Sequence, residues 1–324
     1  MNTPLLSVKD LTVQFRTPKG PITAVDGINL TLERGEVLGI IGESGSGKSV
    51  TMRALMRILP EAKTTISGDL KLDGKDVLSL KGRDLASYRG GDVSMVFQEP
   101  ATALDPVYTI GTQITETVRR HRKVSRTNAQ TRALEMLELV RIPSPASRLG
   151  NYPHEMSGGM RQRAMIALAL AAGPKLLLAD EPTTALDATV QIQVILLLRE
   201  LQKEIGMATI FVTHDVGVAA EISDRIAVMY AGRIVETGTA AEVLKNPKHP
   251  YTQGLLSSTV QGAKPGAPIK AIPGMPPDLA HMPAGCAFAP RCPFATSACQ
   301  AAIPELLSQG GQRRVACIRL EEFA

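Results

Sequence analysis

Three observations predict an α/β fold with a mostly parallel sheet. Short, mostly apolar runs, Val37–Ile41, Lys175–Pro182, Ala208–His214 and Ile226–Tyr230, read as buried strands. Helical periodicity lies between them, as over Val190–Glu204, and strands alternating with helices are the pattern of a parallel sheet. The first run also opens straight into Gly42-Glu43-Ser44-Gly45-Ser46-Gly47-Lys48-Ser49, after which Val50, Ala54, Leu55, Ile58 and Leu59 share one helical face.

Strand, glycine loop and helix in that order predict a P-loop nucleoside-triphosphatase core of the RecA-like kind. The loop fits G-x-x-x-x-G-K-S/T. Backbone amides at Gly42, Ser44, Gly45, Ser46 and Gly47, unobstructed at the glycines, can wrap a phosphate chain at a helix N-terminus. Lys48 would reach the β- and γ-phosphates of ATP, and Ser49 would bind Mg²⁺. A glycine turn without a ligand is the bland alternative. The strand and helix on either side argue against it.

The remaining elements follow in order. Leu5–Phe15 alternates apolar and polar residues and reads as a strand with a turn near Asp10. Pro18–Pro21 is a turn, Ala24–Leu32 a strand, and Ser67–Val77 a hairpin turning at Asp73-Gly74. Together these predict an antiparallel β subdomain around the loop's own parallel strand. Val93–Gln98 is a buried strand ending in a polar residue. From Pro106 the period becomes helical, with Ala133, Met136, Leu137 and Val140 on one face, which predicts a helical insertion over about residues 106–172. Residues 1–243 are thus expected to form the nucleotide-binding domain. Past Val243 the composition shifts, with proline and glycine crowded between Gly262 and Pro277. Residues 244–324 read as a linker and a small Cys-rich C-terminal extension without a large apolar core.

Composition narrows the class. A chain of 324 residues can hold one large domain and an appendage. Its longest apolar run, Ala164–Ala172, is nine residues, against the roughly 20 that span a bilayer. Met1–Asp10 has no basic region followed by a long apolar stretch, so a cytoplasmic protein is expected. The net charge of +5 suits nucleoside phosphates, an anionic membrane or RNA equally and decides nothing. Aromatics at 3% with no Trp argue against a stacking platform for single-stranded nucleic acid.

Two further motifs carry chemistry. At Asp180-Glu181, one carboxylate at a strand end can hold Mg²⁺ and its neighbour can deprotonate the attacking water, which makes Glu181 the candidate general base. Ser157-Gly158-Gly159 is a second glycine turn opening a second helix, and by the same physics an anion site. One phosphate loop hardly needs it, unless the second turn serves a nucleotide held by another molecule. His214, taken alone, reads as a satisfied histidine at a strand end. Phe15 reads as core as readily as a platform for a base.

With these residues in place, the chain resembles the ATP-binding cassette subunits of ATP-binding cassette transporters over roughly Leu5–Val243. The landmarks come in order: Phe15, the phosphate loop, Gln98, the Ser157 turn, Asp180-Glu181, Ala185-Leu186-Asp187 and His214. The resemblance implies that Phe15 stacks on adenine, and that Gln98 senses the γ-phosphate, metal and attacking water. It implies that His214 bonds the γ-phosphate and fixes Glu181, and that Asp187 belongs to the nucleotide site. It also implies that Ser157, Gly158 and Gly159 serve a partner's nucleotide. The family's turn reads Leu-Ser-Gly-Gly-Gln, whereas here Met156 and Met160 hold the outer positions, similar to its peptide-transporter branch.

All four cysteines fall in the last 39 residues, spaced Cys-x5-Cys-x6-Cys-x17-Cys at Cys286, Cys292, Cys299 and Cys317. A cytosolic compartment disfavours disulfides, and zinc fingers space paired ligands at roughly two to four residues. Four thiolates can also hold a 4Fe–4S cluster, though this is not ferredoxin spacing. Asn246–Thr252 and Gly285–Pro293 resemble the C-terminal extension of dipeptide, oligopeptide and nickel importer ATPases. That resemblance implies a structural 4Fe–4S cluster at the four cysteines, with zinc as the alternative. It further implies an ATPase that powers peptide import, peripheral on the cytoplasmic face of the bacterial inner membrane. Its partners would be a second ATPase subunit, preferably in a heterodimer, two transmembrane permease subunits and an extracytoplasmic solute-binding protein, with no nucleic acid. A nickel or glutathione importer is the alternative. A soluble cassette ATPase acting on nucleic acid or ribosomes is disfavoured by a single cassette without sustained heptads.

Overall fold

The computed structural model describes residues 3–183, 187–258 and 271–320. Contacts divide them into two units: Met1–Glu33, Val37–Leu78 and Phe211–Ala324 form the first, and Arg34–Glu36 with Ser79–Ile210 the second.

In the first unit, β1 (Leu6–Thr17) pairs antiparallel with β2 (Gly20–Leu32). The feature expected as a turn near Asp10 is a bulge within β1. Asp10 has φ +49°, and the pairing register shifts between Val8 and Leu11. One extra residue moves the apolar set from even positions (Leu6, Val8) to odd ones (Leu11, Val13), so all four stay buried on one face. β3 (Val37–Ile41) is buried throughout and leads through the phosphate loop to the helix Lys48–Leu55. That helix ends before the predicted Leu59. Arg57 takes a left-handed φ of +58° and donates to the carbonyls of Val77 and Leu78, and Ile58 is 37% exposed. β4 (Thr64–Leu72) lies on the other side of β1, and β5 (Lys75–Asp76) completes the predicted hairpin across Asp73-Gly74, both with positive φ.

The second unit holds β6 (Val93–Val96) and the predicted helical insertion: Ile110–Arg122, Arg126–Leu139 and Gly158–Leu170. Thr109 and Ser125 cap the first two of these helices, accepting from the amides of Thr112 and Asn128. β7 (Leu176–Asp180) runs parallel to β6, and the helix Ala188–Ile205 leads to β8 (Ala208–Val212), which carries the chain back to the first unit.

There β9 (Arg225–Tyr230) runs parallel to β3, and β10 (Arg233–Thr239) returns antiparallel to β9. The C-terminal segment departs from expectation. It adds β11 (Leu307–Ser308) and β12 (Arg314–Val315), the latter paired to β10, and it lays Tyr251, Leu255 and Phe288 onto the apolar core around β9. Tyr230, Val243, Tyr251, Leu255 and Phe288 pack together there, with Cys286 and Cys292 against them. A few large aromatics supply what the segment's sparse aliphatics do not. Among the described residues, no helix is long and apolar enough to cross a membrane.

His249 is the buried polar centre of this segment. Its Nδ1 accepts from the Tyr251 amide (3.0 Å), and it hydrogen-bonds the Ala316 backbone. Burial pushes its pKa from 6.5 down to about 4, with the Ala316 bond opposing. Protonation would set an Nδ1–H against the Tyr251 N–H, so the neutral ring is the form that fits. Between these values the unfolded chain binds a proton that the native one does not. The stabilisation is therefore complete above pH 6.5 and is lost as pH falls toward 4, by about 3 kcal/mol. Urea titrations across that range should show this slope, and His249→Gln should flatten it; equal slopes would contradict the assignment.

Candidate functional site

The phosphate loop is shaped by what surrounds it in the first unit. Gly42 (φ +156°) sits where a Cβ would lie 2.2 Å from the Met229 carbonyl oxygen, and Gly47 (φ +102°) where one would lie 2.6 Å from that of Ala24. Close packing on β9 and β2 therefore demands glycine at both positions. Lys48 is 5% exposed, and its Nζ donates to the carbonyls of Gly42 and Glu43 (each 2.8 Å) and to Ser46 Oγ (3.4 Å). This holds an ammonium at the start of a helix, where the dipole adds positive potential. Past β8, the Thr213 amide donates to the Ile40 carbonyl, which brings exposed His214 beside the end of β3. Asp215 then caps the next helix, Val216–Ile222.

In the second unit, β6 and β7 run side by side, and their C-terminal ends carry Gln98, Asp180 and Glu181. Ligands of open α/β sheets bind at such ends. Gln98 Nε2 donates to Glu181 Oε2 at 3.3 Å. Glu181 has φ +46°, a strained backbone for a non-glycine residue at a cost of about 1–3 kcal/mol. The sharp turn gives the two adjacent carboxyls different surroundings: Asp180 is 4% exposed and Glu181 half-buried.

Ser157 caps the helix Gly158–Leu170 by accepting from the Met160 amide (3.3 Å). Met156 is buried, so that outer position of the turn belongs to the core, where methionine replaces leucine at little cost in volume. A Cβ on Gly159 would lie 2.8 Å from Val190 Cγ1, so the close approach of the two helices favours glycine here irrespective of any nucleotide contact. Asp187 accepts from the Val190 amide and caps the helix Ala188–Ile205. Ala185 and Leu186 lie outside the described residues. Phe15 is half-buried on β1, opposite Ile22 and Thr64.

The four cysteines form no disulfide with one another and line one small cavity with Phe288, Phe294 and Ile318. Burial pushes the thiols of Cys286 and Cys292 up. Among the described residues, no group of three or more His, Cys, Asp or Glu is arranged to hold a metal ion, so the expected metal centre has no closed ligand set.

Sequence reasoning missed three residues at the loop. Glu43, Tyr251 and Arg291 are joined by hydrogen bonds although about 210 to 250 positions separate Glu43 from the other two. The available signal was that Tyr251 and Arg291 sit inside the two C-terminal motifs without any role there.

A buried lysine in a glycine loop between a parallel strand and a helix, with two carboxyls ending another strand, defines a P-loop nucleoside-triphosphatase. The family model described as ABC transporter matches residues 25–184, and that of the oligopeptide/dipeptide transporter C-terminal region matches 235–299. The chain is similar to the oligopeptide transport ATP-binding protein OppD of Bacillus subtilis, 51% identical over 295 residues, 90% of this chain and 82% of the relative. It is similar also to the dipeptide transport ATP-binding protein DppD of Haemophilus influenzae, 47% identical over 313 residues, 97% of this chain and 94% of the relative. A solved dimeric ATP-binding cassette in a post-hydrolysis state with ADP and Pi matches with TM-score 0.64 and 29% identity, over 72% of this chain and 98% of that one. The chain belongs to the ATP-binding cassette transporter family and is an ATP-hydrolysing transport subunit.

Proposed function

We propose that this chain powers the import of peptides across the bacterial inner membrane, seated peripherally on the cytoplasmic face of two permease subunits. The observation that carries this reading is the Gln98–Glu181 pair at two parallel strand ends, in a chain whose C-terminal region matches that of oligopeptide and dipeptide transporters. Glu181 is the general base for water attacking the γ-phosphate, and Gln98 orients both. Lys48 offsets phosphate charge, and His214 bonds the γ-phosphate. Ser49 and Asp180 would hold Mg²⁺, which neutralises charge on the phosphates. Phosphoryl transfer needs little covalent help, so positioning and electrostatics supply the rate.

The Ser157–Gly159 turn serves the nucleotide of a second cassette, a reading supported by the dimeric form of the solved relative. We take that partner to be a related subunit, giving a heterodimer, with an extracytoplasmic solute-binding protein delivering the cargo. Residues 1–243 are the cassette and 244–324 its extension.

Cys286, Cys292, Cys299 and Cys317 would hold a 4Fe–4S cluster. Four thiols lining one cavity support this, with zinc, which would draw its sulfurs to about 2.3 Å, as the alternative. Bound, the cluster would cross-link the segment and stabilise thiolates that burial otherwise disfavours. Anaerobic purification of the tagged chain from membranes tests both parts of the reading. Two membrane-spanning subunits should co-elute, with about four iron and four sulfide per chain. Chain free of permeases would overturn the first part, and zinc or no metal the second.

A further inference from the structure

Glu43 occupies a position that the phosphate-loop pattern leaves unspecified, yet all of its polar groups are engaged. Its amide donates to Tyr251 Oη (2.8 Å), and its carbonyl accepts from Lys48 Nζ (2.8 Å) and from the Ser46 amide (3.2 Å). Its carboxylate takes both arms of Arg291, Nη1 to Oε2 at 2.7 Å and Nη2 to Oε1 at 3.0 Å. Arg291 is equally saturated. Nη1 also donates to Tyr230 Oη (3.2 Å), Nη2 to the Ile272 carbonyl (3.4 Å) and Nε to the Pro273 carbonyl (3.0 Å). The five N–H groups of the guanidinium thus have five acceptors. The fork lies 5.8 Å from the Tyr230 ring and 6.0 Å from the Phe288 ring, with its side chain 4% exposed.

A planar fork saturated in this way has one orientation, and it imposes that orientation on the carboxylate it grips. Glu43 is fixed at side chain and amide by the C-terminal segment, and its carbonyl in turn holds Lys48. Arg291 immediately precedes Cys292 and lies in the short turn Ala289–Arg291 that follows Cys286. We propose that Arg291 is a positioning residue of the nucleotide site, which shapes the phosphate loop through Glu43 and ties nucleotide affinity to the cysteine-bearing segment. This rests on the reading of Gly42–Ser49 as the ATP site.

The test is titration of the full-length chain with the fluorescent nucleotide mant-ADP. Arg291→Lys keeps the charge and loses the fork. It should raise Kd about tenfold, within the range of coupled sites. KM for ATP should rise in step, and by more than kcat falls, because uniform binding is lost. Glu43→Gln, at a partly exposed position that puts folding at less risk, should do the same, and the double variant should be no worse than either single one. A role in stability alone would lower Tm and leave Kd of the folded chain unmoved. Kd within about twofold of the parent in both folded variants, inside the usual error of additivity, overturns the proposal. Failure of the parent chain to bind mant-ADP overturns the nucleotide-site reading and this proposal with it.

Discussion

Replacing Glu181 by glutamine is expected to lower ATP hydrolysis by about 10²- to 10⁴-fold while nucleotide binding persists. The amide has nearly the carboxylate's shape, so the positive φ of the strand end and the approach of Gln98 survive. What is lost is the carboxylate proposed to take a proton from water. The phosphate loop, with Lys48 held by the Gly42 and Glu43 carbonyls, is untouched. Phosphate release and mant-ATP titration on the same preparation separate the two effects, and the variant should retain ATP that the parent turns over. Undiminished turnover would remove Glu181 from its role.

The second large effect concerns stability. Glu236 is fully buried and accepts from Arg313 Nη2 (2.5 Å) and from the amides of Lys248 and His249. Arg313, 7% exposed, also donates to the Asn246 carbonyl. Glu236→Gln leaves a buried guanidinium without its counter-charge, at a cost of about 3–5 kcal/mol. In a chain of this size calorimetry should record a Tm lower by roughly 10 °C. Removing both charges, as Glu236→Gln with Arg313→Met, should recover much of the loss, since no unpaired charge remains and the glutamine carbonyl oxygen still accepts from the Lys248 and His249 amides. A single variant that melts with the parent would show that water reaches the pair.

The nucleotide loop was legible because its signal is local: glycines, lysine and serine within eight positions, a buried strand before and a helix after. The bulge at Asp10 was half legible, since the parity change from Val8 to Leu11 is visible while its meaning depends on the partner strands. The helix end at Leu55 was not, because Arg57 stops it with bonds to a hairpin about 20 residues away. The C-terminal core was illegible for a similar reason. Tyr230, Tyr251 and Phe288 have ring centroids 4.5–5.4 Å apart but carry no periodicity, and β12 is two residues long. Gln98 and Glu181 stand 83 positions apart; the carboxyl pair at a strand end pointed to Glu181, and family resemblance named Gln98. Gly159 and Asp187 show the converse. Resemblance supplied nucleotide roles, and the fold adds packing against Val190 and a helix cap.

The claim that hydrolysis at Glu181 drives peptide import is tested most directly in cells. Uptake of a labelled oligopeptide mixture is measured after the gene for this chain is replaced by the Glu181→Gln allele, with membrane recovery of the variant confirmed. Uptake at the level of the deletion strain is the expected result; uptake at the parental level would contradict it.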